Sequence, residues 1–181
     1  MPAIYQIILA GLISFLGVVF GGLIANFTKE ELKSGEKYFR VLCILLMSII
    51  ITFVLYSTLI LNTKNFIYFA LVLLFGAIIG LYLRIKYFYF GLAFALTAIS
   101  KQNFLLLASL VFLFGLPYGS LLFLGKKFKK EAVISAILFF SAFFLVYIGS
   151  FLSQIFQNNI AYFLAFSAGN LLGILAKAKI S

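Results

Sequence analysis

The sequence predicts an all-α polytopic membrane protein. Seven transmembrane helices are expected in a 3+1+3 parallel internal repeat, with the N-terminus outside and the C-terminus inside. Three observations predict it. Hydrophobic residues make up 65% of the 181-residue chain and charged residues only 10%, against roughly half and a quarter in ordinary soluble domains. The cations gather at alternate ends of the apolar segments, as cytoplasmic loops require. Four Gly-x-x-x-Gly pairs recur at corresponding places along the chain. A water-soluble globule of this size cannot hide so much apolar surface.

Taken in order, the apolar segments run over 4–26, 41–61, 66–83, 87–100, 104–124, 132–153 and 160–176. A bilayer-spanning helix needs about 20 apolar residues. The segment 87–100 is short, so charge decides whether it crosses. With seven spans, Lys29, Lys33, Lys37, Arg40, Arg84, Lys86, Lys126, Lys127, Lys129, Lys130, Lys177 and Lys179 share one side, and only Lys64 and Lys101 lie on the other. With six spans the cations divide evenly. The asymmetry selects seven. The first segment has no basic n-region and is read as a retained helix rather than a signal peptide.

Two polar stretches are expected on the cytoplasmic side. In 27–40, Thr28 and Glu31 fit a capping box, and Gly35 fits the end of a short surface helix before the second span. The second stretch, 125–131, carries Lys126, Lys127, Lys129 and Lys130. Both are expected to meet anionic lipid headgroups, or a protein partner docking at 27–40 and 125–131. Tyr5, Tyr82, Tyr87 and Tyr89 lie near span ends, where an interfacial aromatic belt is expected.

The glycine pairs are Gly17/Gly21, Gly76/Gly80, Gly115/Gly119 and Gly169/Gly173, on the first, third, fifth and seventh segments. Small residues let helix backbones approach closely within lipid. GAIIGLYLRIK (76–86) aligns with GNLLGILAKAK (169–179), and LGVVFGG (16–22) with FGLPYGS (114–120). The simplest reading is one membrane domain with two repeats, about 4–86 and 104–179, linked by a helix at about 87–100. Parallel repeats joined in this way are a transporter design. The 3+1+3 order resembles the SWEET sugar transporters in topology. The resemblance is one of helix order alone, because that family's Pro-Gln pairs are absent and Pro2 and Pro117 are the only prolines.

Composition excludes much chemistry. The chain has no His or Asp, four Glu and one Cys, Cys43. A Ser-His-Asp or Cys-His site cannot be built. A metal site lacks ligands, no cofactor is implied, and no phosphate-binding glycine loop occurs. No ionisable residue falls within a span, which disfavours coupling through a buried carboxylate. The expected basic charge is a topology signal, so no nucleic-acid partner is expected.

The candidates for a substrate pathway are therefore neutral. Ser48, Thr52 and Tyr56 recur every four residues on one helix face. Ser109, Tyr118, Ser141, Tyr147 and Ser167 add hydroxyls on the later spans. Pro117 leaves the Leu113 carbonyl without its helical partner and predicts a kink. Asn170 is the one amide near the interior of a span, and it sits in the glycine seam. The function expected is a small, non-enzymatic permease for a neutral or amphiphilic solute, in the cytoplasmic membrane of a prokaryote. The second reading is a non-catalytic subunit of a membrane complex. The third is a lipid enzyme using Glu and Lys at the cytoplasmic face.

Overall fold

The computed structural model describes residues 4–61, 65–83, 85–100, 103–125, 128–152 and 159–180. Among them are seven helices: α1 (Ile4–Phe27), α2 (Lys29–Ile60), α3 (Phe66–Tyr82), α4 (Lys86–Ile99), α5 (Phe104–Leu124), α6 (Phe128–Leu152) and α7 (Ile160–Ile180). Four carry stretches long and apolar enough to cross a membrane: Tyr5–Phe27, Ser34–Ile60, Phe104–Leu124 and Ile160–Lys177. The 17 residues of α3 and the 14 of α4 give shorter rods, about 25 and 21 Å at 1.5 Å per residue.

Local signals account for several ends. Asn65 is extended and its side chain accepts from the Ile67 N–H, capping α3. The Leu83 N–H closes the other end on the Ile79 carbonyl. The expected surface helix before the second span is not separate. Lys29–Ile60 is one 32-residue helix that runs through Gly35. One glycine costs a helix about 1 kcal/mol relative to alanine, too little to break so long an apolar rod. The Thr28 hydroxyl donates to the Ile24 carbonyl at the end of α1, and the Glu31 side chain of the expected capping box lies outside the described residues. Arg40 pairs with Glu36 one turn back, at 2.7 Å. Both side chains are exposed enough that this pair is worth only tenths of a kcal/mol.

The chain folds into two compact units, and each draws on both halves of the sequence. One comprises residues 2–50 with 105–137, and the other residues 51–104 with 138–181. The first holds α1 and α5. On α1 the buried residues are Ala10, Gly11, Ser14, Gly17, Val18, Gly21, Gly22 and Ala25, whereas Leu9, Leu12, Leu16, Phe20 and Leu23 are exposed. Small residues inward and large apolar residues outward is the reverse of a soluble helix and the pattern of packing within lipid.

The second unit holds α3, α4 and α7. Here α4, which the sequence casts as a linking helix, is the most enclosed element, with Tyr87, Tyr89, Phe90, Gly91 and all of Ala93–Ala98 buried. Tyr87 and Tyr89 are each 2% exposed and are not interfacial, whereas Tyr5 and Tyr82 are exposed as expected. Tyr87 meets Phe90 edge-on, and Tyr89 meets Phe166 of α7. Gly91 lies against the backbone of Phe139 on α6.

The glycine pairs meet in two crossings, α1 with α5 and α3 with α7, and one rule describes them. Each glycine turns its side-chain direction onto the carbonyl oxygen three residues before its partner glycine. Gly17 meets Phe112, Gly21 meets Leu116 and Gly119 meets Val18. In the other unit Gly76 meets Phe166, Gly80 meets Asn170, Gly169 meets Leu73 and Gly173 meets Ala77. Gly115 departs from the rule, its nearest neighbour being the Val18 nitrogen at 2.6 Å from where a Cβ would stand. The geometry directs a Cα–H at a carbonyl, a weak contact that recurs between close helices. Because residue numbers rise together along both partners, each crossing is parallel.

Any side chain at these glycines would collide with backbone, which cannot swing aside. Gly80→Ala should cost about 1–3 kcal/mol, a fall in Tm of roughly 2–4 °C per kcal/mol for a chain of this size. At Gly35 a methyl group would have ordinary contacts with the Phe39 ring at 3.5 Å, so Gly35→Ala should hold or raise Tm. Thermal unfolding in detergent, followed by circular dichroism, checks both.

Candidate functional site

The sequence-derived candidates separate into three groups. On α2, Ser48 is half-buried and its hydroxyl donates to the Ile44 carbonyl of its own helix at 2.9 Å. Thr52 and Tyr56 are exposed, Tyr56 at 60%. The hydroxyl stripe therefore does not face the interior of the fold. Tyr56 instead lines a shallow cleft of about 210 Å3 with Phe53, Ser57, Ile60 and Asn103.

The second group surrounds the α1–α5 crossing. Pro117 is buried, and α5 continues as a helix through it from Phe104 to Leu124. Tyr118 is half-buried, stacks on Phe114 with ring centroids 5.7 Å apart, and shares a hydrogen bond with Ser135 of α6. Ser120, which sequence reasoning passed over, donates to the Gly21 carbonyl of α1 at 2.9 Å and also reaches Leu116 at 3.0 Å. Its spacing, one residue beyond Gly119, was the available signal. Lys129 and Lys130 are exposed in the first turn of α6. Lys126 and Lys127 lie outside the described residues, as does the side chain of Tyr147.

The third group lies on α7, where two polar residues are fully buried. Asn170 is fully buried. Its Nδ2 donates to the Phe166 carbonyl at 2.8 Å. A carbonyl only accepts, so the amide nitrogen must face it and Oδ1 must face away. Gly76 and Gly80 of α3 press on this turn. A Cβ at Gly76 would stand 3.3 Å from Asn170 Nδ2, and one at Gly80 would strike the Asn170 carbonyl. The glycines thus admit the amide and hold its orientation. Ser167 is the second fully buried polar residue of this turn, and sequence reasoning noted it only as one hydroxyl among several. Ser167 Oγ and Asn170 Oδ1 have no hydrogen-bond partner among the described residues. Leaving such groups unpaired costs about 1–3 kcal/mol each. Near the end of the same crossing, Lys177 Nζ donates to the Leu81 carbonyl of α3 at 2.9 Å, serving the exposed C-terminus of that helix.

The buried polar side chains among the described residues are Ser14, Ser57, Thr58, Thr97, Ser120, Ser135, Ser167 and Asn170. All are hydroxyls except one amide, so this interior offers hydrogen bonds without charge. No group of residues suited to holding a metal ion occurs among the described residues. Compared with known proteins, the chain matches no family model, no curated protein and no solved structure.

Ser120→Ala removes a bond between helices and should cost about 0.6 kcal/mol, the average for such bonds in membrane bundles. Ser109→Ala removes a bond to the Leu105 carbonyl within one helix turn and should leave stability unchanged. Unfolding of the two variants in the same detergent checks the contrast.

Proposed function

We propose that the chain is a multi-pass integral membrane protein of seven spans that acts as a permease-like carrier for a neutral or amphiphilic solute. The membrane assignment is supported by the four long apolar helices and by their large exposed apolar side chains, a surface soluble monomers rarely carry.

Two parallel crossings support the span count. For α1 and α5 to point the same way, the chain between them must traverse an odd number of times. The same holds for α3 and α7. Both conditions are met when α4 counts as a crossing and fail when it is a loop. The short α4 then crosses enclosed by its neighbours, so its 14 residues need not match a bilayer about 30 Å thick. The 32 residues of α2 reach about 48 Å, so its basic first turns project beyond the hydrocarbon. The lysine asymmetry then puts the α1–α2 and α5–α6 connections on the cytoplasmic side, facing anionic headgroups. The reciprocal glycine rule supports two repeats in one orientation, because exchanging the glycine pairs of one crossing reproduces nearly every contact.

One observation carries the carrier reading: the buried polar pair Ser167 and Asn170 on an apolar helix, with no charged side chain among the buried residues described. Such a pair suits a solute bound by hydrogen bonds rather than by charge. A specific observation favours a second reading, that of a non-catalytic subunit. Thr52 and Tyr56 turn polar groups outward from an apolar helix, as a helix meeting another membrane protein would.

Two experiments test these readings. With Cys43 replaced by serine, single cysteines at Ser34 and Gly125 should be modified by an impermeant thiol reagent from the same side, and one at Asn103 from the opposite side. A six-span chain would put Ser34 and Gly125 on opposite sides. Purified protein in liposomes should pass a neutral solute, whereas a chain silent across a broad panel but extracted reproducibly with a second protein would favour the subunit.

A further inference from the structure

Ser167 differs from four other buried hydroxyls among the described residues. Ser14, Thr58, Thr97 and Ser120, all buried, each donate to a carbonyl of the preceding turn of their own helix, at 2.6–3.0 Å. That is the usual resting place of a serine or threonine in an apolar helix. Ser167 forms no such bond, although it is fully buried on the same kind of helix. Asn170 stands three residues further along, on the same helix face. Its Nδ2 is committed to Phe166 and its Oδ1 is presented to the interior.

The two atoms have complementary roles. The amide oxygen only accepts, and the serine hydroxyl donates or accepts. A single O–H group satisfies both, donating to Asn170 Oδ1 while accepting from Ser167. An anion would face the lone pairs of the amide oxygen. A desolvated cation would need a compensating charge, and the buried side chains among the described residues offer none. The pair is closed from the surface, and α3 lies in backbone contact beside it, so the ligand atom must be small.

We propose that Ser167 Oγ and Asn170 Oδ1 form a binding site for a small neutral O–H donor, water in the unloaded protein and the hydroxyl of a permeating solute in the loaded one. The solute half rests on the carrier reading above, and the water half does not. Gly76 and Gly80 act as positioning residues, because they hold the Asn170 turn without touching the ligand.

Water-edited solid-state NMR on the full chain in liposomes, with labelled asparagine and alanine, reads the first half. The Asn170 side-chain carbonyl, identified by its loss in Asn170→Leu, should receive water magnetisation severalfold faster than the Ala168 methyl, which is equally buried. Glycerol uptake by the same liposomes reads the second half. Ser167→Ala, which removes only one oxygen, should slow uptake about tenfold, the effect of one lost hydrogen bond. An Asn170 carbonyl as dry as Ala168 overturns the site. Uptake unchanged by Ser167→Ala overturns the solute half. Water contact at Asn170 in a protein that passes no glycerol supports the site and counts against the carrier reading.

Discussion

The contact of a glycine with the backbone of another helix is the constraint on which the rest depends. Within lipid there is no hydrophobic drive to bring helices together, so association rests on close packing and on hydrogen bonds. In both compact units the packing is carried by glycines aimed at carbonyl oxygens. Neither partner can yield, because a backbone has no rotamers. The crossings thereby fix the direction and register of α1 on α5 and of α3 on α7. The polar atoms then fall where those registers put them: Ser120 against the Gly21 carbonyl in one unit, and Asn170 under Gly76 and Gly80 in the other.

Direction carries further than proximity. Two parallel pairs, each separated by three helices in sequence, support the proposed seven-span reading, in which α4 is a crossing. That reading gives α4 a part its length alone would deny it. It is short and nearly all of it is buried, whereas α1 and α2 turn large apolar side chains outward. A helix surrounded by protein has no need to match the thickness of a bilayer. Its burial also leaves Gly91 against α6 and Tyr89 against α7, so it serves as the packing centre of its unit.

Much of this was legible in the residues. The apolar runs mark the seven helices to within a few residues, except where α2 extends back to Lys29 and α6 to Phe128. Those extensions were hidden because helix continuation through polar residues depends on the rod already formed, and composition does not report it. The glycine pairs announced close packing, but a sequence does not say which helix meets which. The polar stripe on α2 misled because a four-residue period states only that Ser48, Thr52 and Tyr56 share a face. It does not say which way the face turns, and Thr52 and Tyr56 prove exposed. Tyr87 and Tyr89 misled in the same way, because proximity to a helix end was taken for proximity to an interface. Asn170 was visible as a lone amide in a glycine seam. Ser167 was not distinguished, because only the structure shows a hydroxyl that fails to bond its own helix.

The central claim, that the paired helices run parallel, is tested most directly by a distance between spin labels on α3 and α7 in liposomes. Labels at Ile67 and Phe163 sit near the N-terminal ends of these helices, and Ala176 lies about 20 Å further along α7 at 1.5 Å per residue. Parallel packing predicts that the Ile67–Phe163 distance is clearly the shorter and the Ile67–Ala176 distance the longer. The reverse order would make the helices antiparallel, and the inference that α4 crosses the membrane would fall with it.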